Sequence, residues 1–137
     1  GPTTVVFAQN LSSAAILDGV RAGHVFIDMQ GRPERQLIVR AQIGARSALM
    51  GDTLAPRRDA RVVFDVETAG LPDGARVEIW RDGRQWNPGT LEAADDQLRF
   101  VWRADGRRHW FNAIVRDGGG ALLLFANPIY IEQSDIG

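Results

Sequence analysis

Residues 97–116 read QLRFVWRADGRRHWFNAIVR, and their alternation decides the fold class. Leu98, Phe100 and Trp102 are spaced two apart and share one face of a strand. Asp105-Gly106 is a tight-turn pair, and residues 108–116 return as a second strand. In that return strand Phe111, Ala113 and Val115 take one face, assigned to the core, while Trp110, Asn112 and Ile114 take the other. The second face is too apolar for a strand that simply meets water.

The same period extends in both directions. Upstream, Val62, Phe64 and Val66 alternate with Asp65 and Glu67, and Val77 and Ile79 alternate with Arg76 and Glu78. The turn GLPDG at 70–74 joins these strands, and Asp82-Gly83 folds the second into a return at 84–86. Residues 36–45 place Leu37, Val39, Ala41 and Ile43 on one face and Arg40 and Gln42 on the other. Residues 48–54 hold the Gly51-Asp52 turn signal, and residues 93–97 read as a polar loop. Downstream, Gly118–Gly120 turns into the apolar strand 121–126, and residues 129–132 end the pattern after Asn127-Pro128. About eight to ten short strands with a turn signal every 8–12 residues predict a mainly β chain folded as an immunoglobulin-like β-sandwich.

One short N-terminal helix precedes this pattern. In LSSAAILDGVRAGHVFI, residues 11–27, Ser12 or Ser13 can cap a helix whose Ala15, Ile16 and Val20 recur on one face. Gly23 allows the left-handed turn that ends it before a strand at 25–27. Residues 3–8 read as a strand before the helix. Residues 1–30 are therefore expected to be a connecting strand and helix, and residues 31–137 the sandwich, in one compact unit.

Composition narrows the function classes. Sixteen basic residues, all arginine, nearly balance seventeen acidic ones, so no global field favours nucleic acid or an anionic membrane. No nucleic-acid or membrane partner is expected. The longest apolar run, 121–126, is far too short for a membrane span, and no basic segment leads into an apolar run at the start. Cysteine is absent, which excludes disulfides, thiolate metal sites and a cysteine nucleophile.

Nothing in the chain assembles a reaction centre. His24 and His109 are too few for a histidine-rich metal site and read as ordinary surface imidazoles. Asp28 follows His24 by four residues, but along a strand that is about 13 Å, too far to share an ion. Asp52, Asp95 and Asp96 read as turn caps, and Gly118–Gly120 lacks the lysine and helix of a phosphate loop. No catalytic, cofactor-binding or metal-ligating residue is expected, and an independent enzyme would need acid–base groups brought together from loops. Trp102 is in phase with the core, whereas Trp80, Trp86 and Trp110 are out of phase or near turns. Trp80, Trp110 and Ile114 are the candidate interface residues, forming a patch that docks on another domain or on a second copy of the chain. Two alternatives remain: the helix at 13–22 folds back over the patch, or the tryptophans form a platform in a stand-alone carbohydrate- or ligand-binding module.

The order PTTVVFA, LSSAAILDGVRAGHVFI, ALMGDTL, VEIWRDG and FANPIYIE resembles the C-terminal part of bacterial PHP-domain metal-dependent hydrolases of the CehA/McbA type. The features that carry it are Arg21-Ala22-Gly23 at the helix exit, the Asp82-Gly83 hairpin and the closing Asn127-Pro128-Ile129-Tyr130. The resemblance implies a non-catalytic accessory β-sandwich attached to a hydrolase or phosphoesterase. Its implied partner is the PHP-like catalytic domain of the same polypeptide, with a homo-oligomer as a further option. The family's metal ligands lie upstream of the segment matching residues 2–8, so no catalytic residue carries over. Where the family often shows an aromatic-Val-Arg pattern, this chain has Trp110-Phe111-Asn112.

Overall fold

Hydrophobic alternation produces two facing sheets. A computed structural model describes residues 1–89 and 91–134; residues 135–137, placed in the sandwich by the sequence reading, lie outside the described ones. The elements run β1 (Thr3–Val6), α1 (Ser13–Arg21), β2 (Val25–Asp28), β3 (Gln36–Ile43), β4 (Arg46–Leu49), β5 (Thr53–Leu54) and β6 (Arg61–Ala69). They continue with β7 (Arg76–Arg81), β8 (Arg84–Gln85), β9 (Leu91–Ala94), β10 (Gln97–Arg103), β11 (His109–Arg116), β12 (Leu122–Ala126) and β13 (Ile129–Ile131).

One sheet has the order β4-β3-β6-β10-β9. The other places β8 and β7 on one side of β11 and sets β12 and β13 end to end along its far side. β2 and β1 extend this sheet beyond β12, and β5 runs parallel to β13. With β4 set aside, β3-β6-β10-β9 and β8-β7-β11-β12 have the A-B-E-D and C′-C-F-G orders of an immunoglobulin-like sandwich. The leading segment is thus woven into a sandwich sheet.

Aromatic side chains fill the space between the sheets. Phe64 stacks on Phe100 with centroids 4.9 Å apart and meets Phe111 at 4.6 Å. Trp102 and Trp86 meet Phe111 edge-on at 5.0 and 5.6 Å. Such pairs add to the stabilisation from removing their area from water. Trp86 therefore belongs to the core rather than to a tryptophan platform. It also lies under the Arg81 guanidinium, 5.1 Å from the ring centroid.

Three strands depart from the sequence reading. β9 occupies part of the expected polar loop, and its four residues LEAA are exposed on both faces, so no alternation marks them. β4 and β5 flank the Gly51-Asp52 turn signal, and the sequence reading named neither as a strand. β4 is an edge strand, and the two residues of β5 are held by pairing with β13.

The helix also turns differently from its expected face. Ser12 caps it by accepting from Ala15 N at 3.1 Å. Its inward stripe, however, is Ala15 and Gly19 rather than Ile16 and Val20. A Cβ on Gly19 would lie 2.7 Å from Val6 Cγ1 and 2.8 Å from the Phe7 carbonyl oxygen. Close approach to the chain just after β1 therefore requires the small residue, and Ile16, Leu17 and Val20 are left facing out.

Two of the motifs behind the family resemblance, the helix exit and the Asn-Pro closure, meet the Gly51-Asp52 turn at one junction, while the Asp82-Gly83 hairpin lies against Trp110. Gly23 ends α1 with φ +76°, and Asn127 Nδ2 donates to its carbonyl at 2.8 Å. Gly51 N donates to the Pro128 carbonyl at 2.7 Å. His24 Nε2 meets Asp52 Oδ1 at 2.8 Å, and Asp52 Oδ2 accepts from Leu49 N. Helix exit, Gly-Asp turn and Asn-Pro closure are thus bonded to one another.

Candidate functional site

The outward face of β11 lines a groove of about 260 Å³. Inward positions Phe111, Ala113 and Val115 are buried in the core, so Trp110, Asn112, Ile114 and Arg116 must point the other way. Pairing with β7 sets Trp80 opposite Asn112 and Glu78 opposite Ile114. On the other side, pairing with β12 sets Phe125 opposite Ile114 and Leu122 opposite Arg116. Trp80, Trp110 and Ile114 thus line one surface feature. No residue of α1 lines it.

The three differ in role. Trp110 is 36% exposed and Trp80 is half-buried, whereas Ile114 is only 4% exposed and lies below the surface. Phe125, 39% exposed, supplies the opposite wall. Sequence reading missed Phe125 because residues 121–126 are apolar without alternation, so their two faces look alike. Glu78, Arg116, Leu122 and Gly83 were missed as well. They join the site only through cross-strand pairing and the hairpin tip.

Both tryptophans are held by polar partners. Trp80 Nε1 donates to Glu78 Oε1 at 3.1 Å, and Arg116 Nε donates to the same oxygen at 3.2 Å. Trp110 is fixed through its backbone: its N–H donates to Asp82 Oδ1, and its carbonyl accepts from Asp82 N, both at 2.9 Å. Its ring lies over the hairpin tip, where a Cβ on Gly83 would sit 3.3 Å from Trp110 Cζ2. His109, expected at the surface, is largely buried beside this tip. Its Nδ1 meets Asp82 Oδ2 at 2.6 Å and its Nε2 meets Asp105 Oδ2 at 2.8 Å. The cluster anchors the start of β11. Among the described residues, no group of three or more histidine or acidic side chains could hold a metal ion.

Burial pushes the Glu78 carboxyl up, but hydrogen bonds from Trp80 and Arg116, with the charges of Arg116 and Arg76, outweigh it and the net shift is downward. Asp105 is likewise lowered: burial opposes the shift, and bonds from Arg107 N and His109 overcome it. A lowered carboxyl contributes stability that is present above its unfolded value and lost as pH falls through the folded one. Denaturant midpoints are therefore expected to fall as pH drops below the ordinary values of 4.5 and 3.8. Glu78→Gln should flatten part of that fall, and an unchanged pH profile in this variant would contradict the assignment to Glu78.

The most unusual group is Asn112. It is 3% exposed, and its Oδ1 is buried without a hydrogen-bond partner. Buried polar atoms are nearly always paired, and an unpaired one costs about 1–3 kcal/mol. No family model, curated protein or solved structure matches the chain.

Proposed function

We propose that the chain is a non-catalytic accessory β-sandwich of a PHP-type metal-dependent hydrolase or phosphoesterase, docking on the catalytic domain of the same polypeptide. The observation that carries this reading is the outward face of α1. Leu17 and Val20 are 51% and 50% exposed, and Leu11 is 94% exposed. Leu17 and Val20 lie on α1 and Leu11 just before its cap, on the segment that, by resemblance, follows the catalytic domain. Each large apolar group removed from water there would contribute up to about 1.5–3 kcal/mol. The convergence of the helix-exit, Gly-Asp and Asn-Pro motifs supports the reading further, since one junction explains why these short motifs occur together.

Docking through α1 requires that Leu17→Asp with Val20→Asp leave the isolated chain's melting temperature nearly unchanged, because neither side chain is in the core. The same pair should weaken co-purification with the catalytic domain encoded upstream by roughly tenfold or more. A gene without His/Asp metal motifs upstream in the same reading frame would overturn the reading. So would a double variant that still binds that domain normally. Concentration-dependent self-association abolished by the double variant would assign the face to a second copy instead.

A further inference from the structure

We propose that the groove on the outer face of β11 binds one ring of a neutral saccharide, a site independent of the α1 docking face. Four observations meet there. Asn112 lines the groove almost fully buried: its Oδ1 has no partner in the chain and almost no accessible surface, so a ligand in the groove meets the carboxamide only at the edge it presents there. Rotating a carboxamide by half a turn exchanges its oxygen and nitrogen, and a hydroxyl, being both donor and acceptor, answers either atom. A proline ring could pack on the same aromatic walls, but it brings no N–H.

Those walls are the second observation. Trp110 and Phe125 remain more than a third exposed on the two sides, and Trp80 is half-buried beside Asn112. The electron-rich face of an aromatic ring attracts the C–H hydrogens that line one side of a sugar ring. Third, the nearby charges engage one another: Glu78 accepts from Arg116 at 3.2 Å and faces Arg76 at 3.5 Å. A neutral ligand is thereby favoured over an ionic one. Fourth, about 260 Å³ lies just below the usual range for drug-sized ligands, about 300–1,000 Å³, and suits a single small ring.

The test is titration of the whole chain, followed by its four indole N–H resonances. The probes are methyl glycosides of glucose, galactose, mannose, xylose and N-acetylglucosamine, with the corresponding hexasaccharides. At least one should move the Trp80 and Trp110 resonances saturably with a Kd of about 1 mM or tighter, leaving Trp86 and Trp102 in place. Trp110→Ala should weaken that response roughly tenfold or more. Asn112→Leu should weaken it similarly while raising the melting temperature, an outcome that a merely structural asparagine would not produce. Phe125→Ser, at an exposed wall, provides the same readout should Trp110→Ala fail to fold. The proposal is overturned if no probe moves the two resonances, if sorbitol moves them equally, or if an oligoproline peptide moves them and sugars do not. Retention of full binding by Asn112→Leu would overturn it too.

Discussion

Gly51→Val is expected to destabilise the chain by at least about 3 kcal/mol. Gly51 has φ +95°, a conformation that side chains with a Cβ rarely adopt. The added Cβ would lie 2.3 Å from the Gly23 carbonyl oxygen, 2.4 Å from its carbon and 2.6 Å from the Ala22 carbonyl oxygen. All three are backbone atoms, so no side chain can swing aside. Relief requires moving the helix exit, which breaks the bond from Asn127 Nδ2 to Gly23 and the bond from Gly51 N to Pro128. Gly44 supplies the control. It also has positive φ, +55°, but nothing lies within 4 Å of its would-be Cβ. Gly44→Val should therefore lose only the conformational part, about 1–2 kcal/mol. Equal losses for the two variants in denaturant unfolding would show that the close approach at the junction contributes nothing.

That junction marks the limit of what local sequence could reveal. Period-two alternation identified the inward faces of β3, β6, β10 and β11 because each strand covers the core with one side. Val62, Phe64 and Val66, for example, are all at most 1% exposed. The method failed where burial comes from elsewhere. On α1 the larger side chains suggested a buried Ile16 and Val20, yet the approach to the chain after β1 is so close that only Ala15 and Gly19 fit inside. Trp86 looked out of phase because β8 is only two residues long, and the ring reaches the core from just past its end. In the groove, the outward placement of Trp110, Asn112 and Ile114 was readable from β11 alone. The depth at which Asn112 and Ile114 lie was not, because β7 and β12 supply the walls.

Asp28→Ala is expected to cost about 3–5 kcal/mol, the second large effect. Asp28 is 2% exposed, and its carboxylate replaces a missing stretch of strand ladder at the end of β2. Oδ1 accepts from Gln30 N at 3.1 Å and Gly31 N at 3.0 Å, and Oδ2 accepts from Arg32 N at 2.7 Å. Removing the carboxylate leaves three N–H groups without their partner, and bonds to a charged acceptor are stronger than neutral ones. Asp28→Asn retains one acceptor oxygen and should lose roughly half as much, which separates loss of the bonds from loss of side-chain volume. The damage should also spread along the sheet. Asp28 pairs with Thr3 of β1 and Leu124 of β12, and Met29 N donates to the Leu123 carbonyl. Hydrogen exchange in Asp28→Ala should therefore speed up at Met29 and along β12, the strand that carries the Phe125 wall of the groove. Protection lost only at residues 30–32, with stability within about 1 kcal/mol of the parent chain, would show that the turn is held by its backbone rather than by this carboxylate.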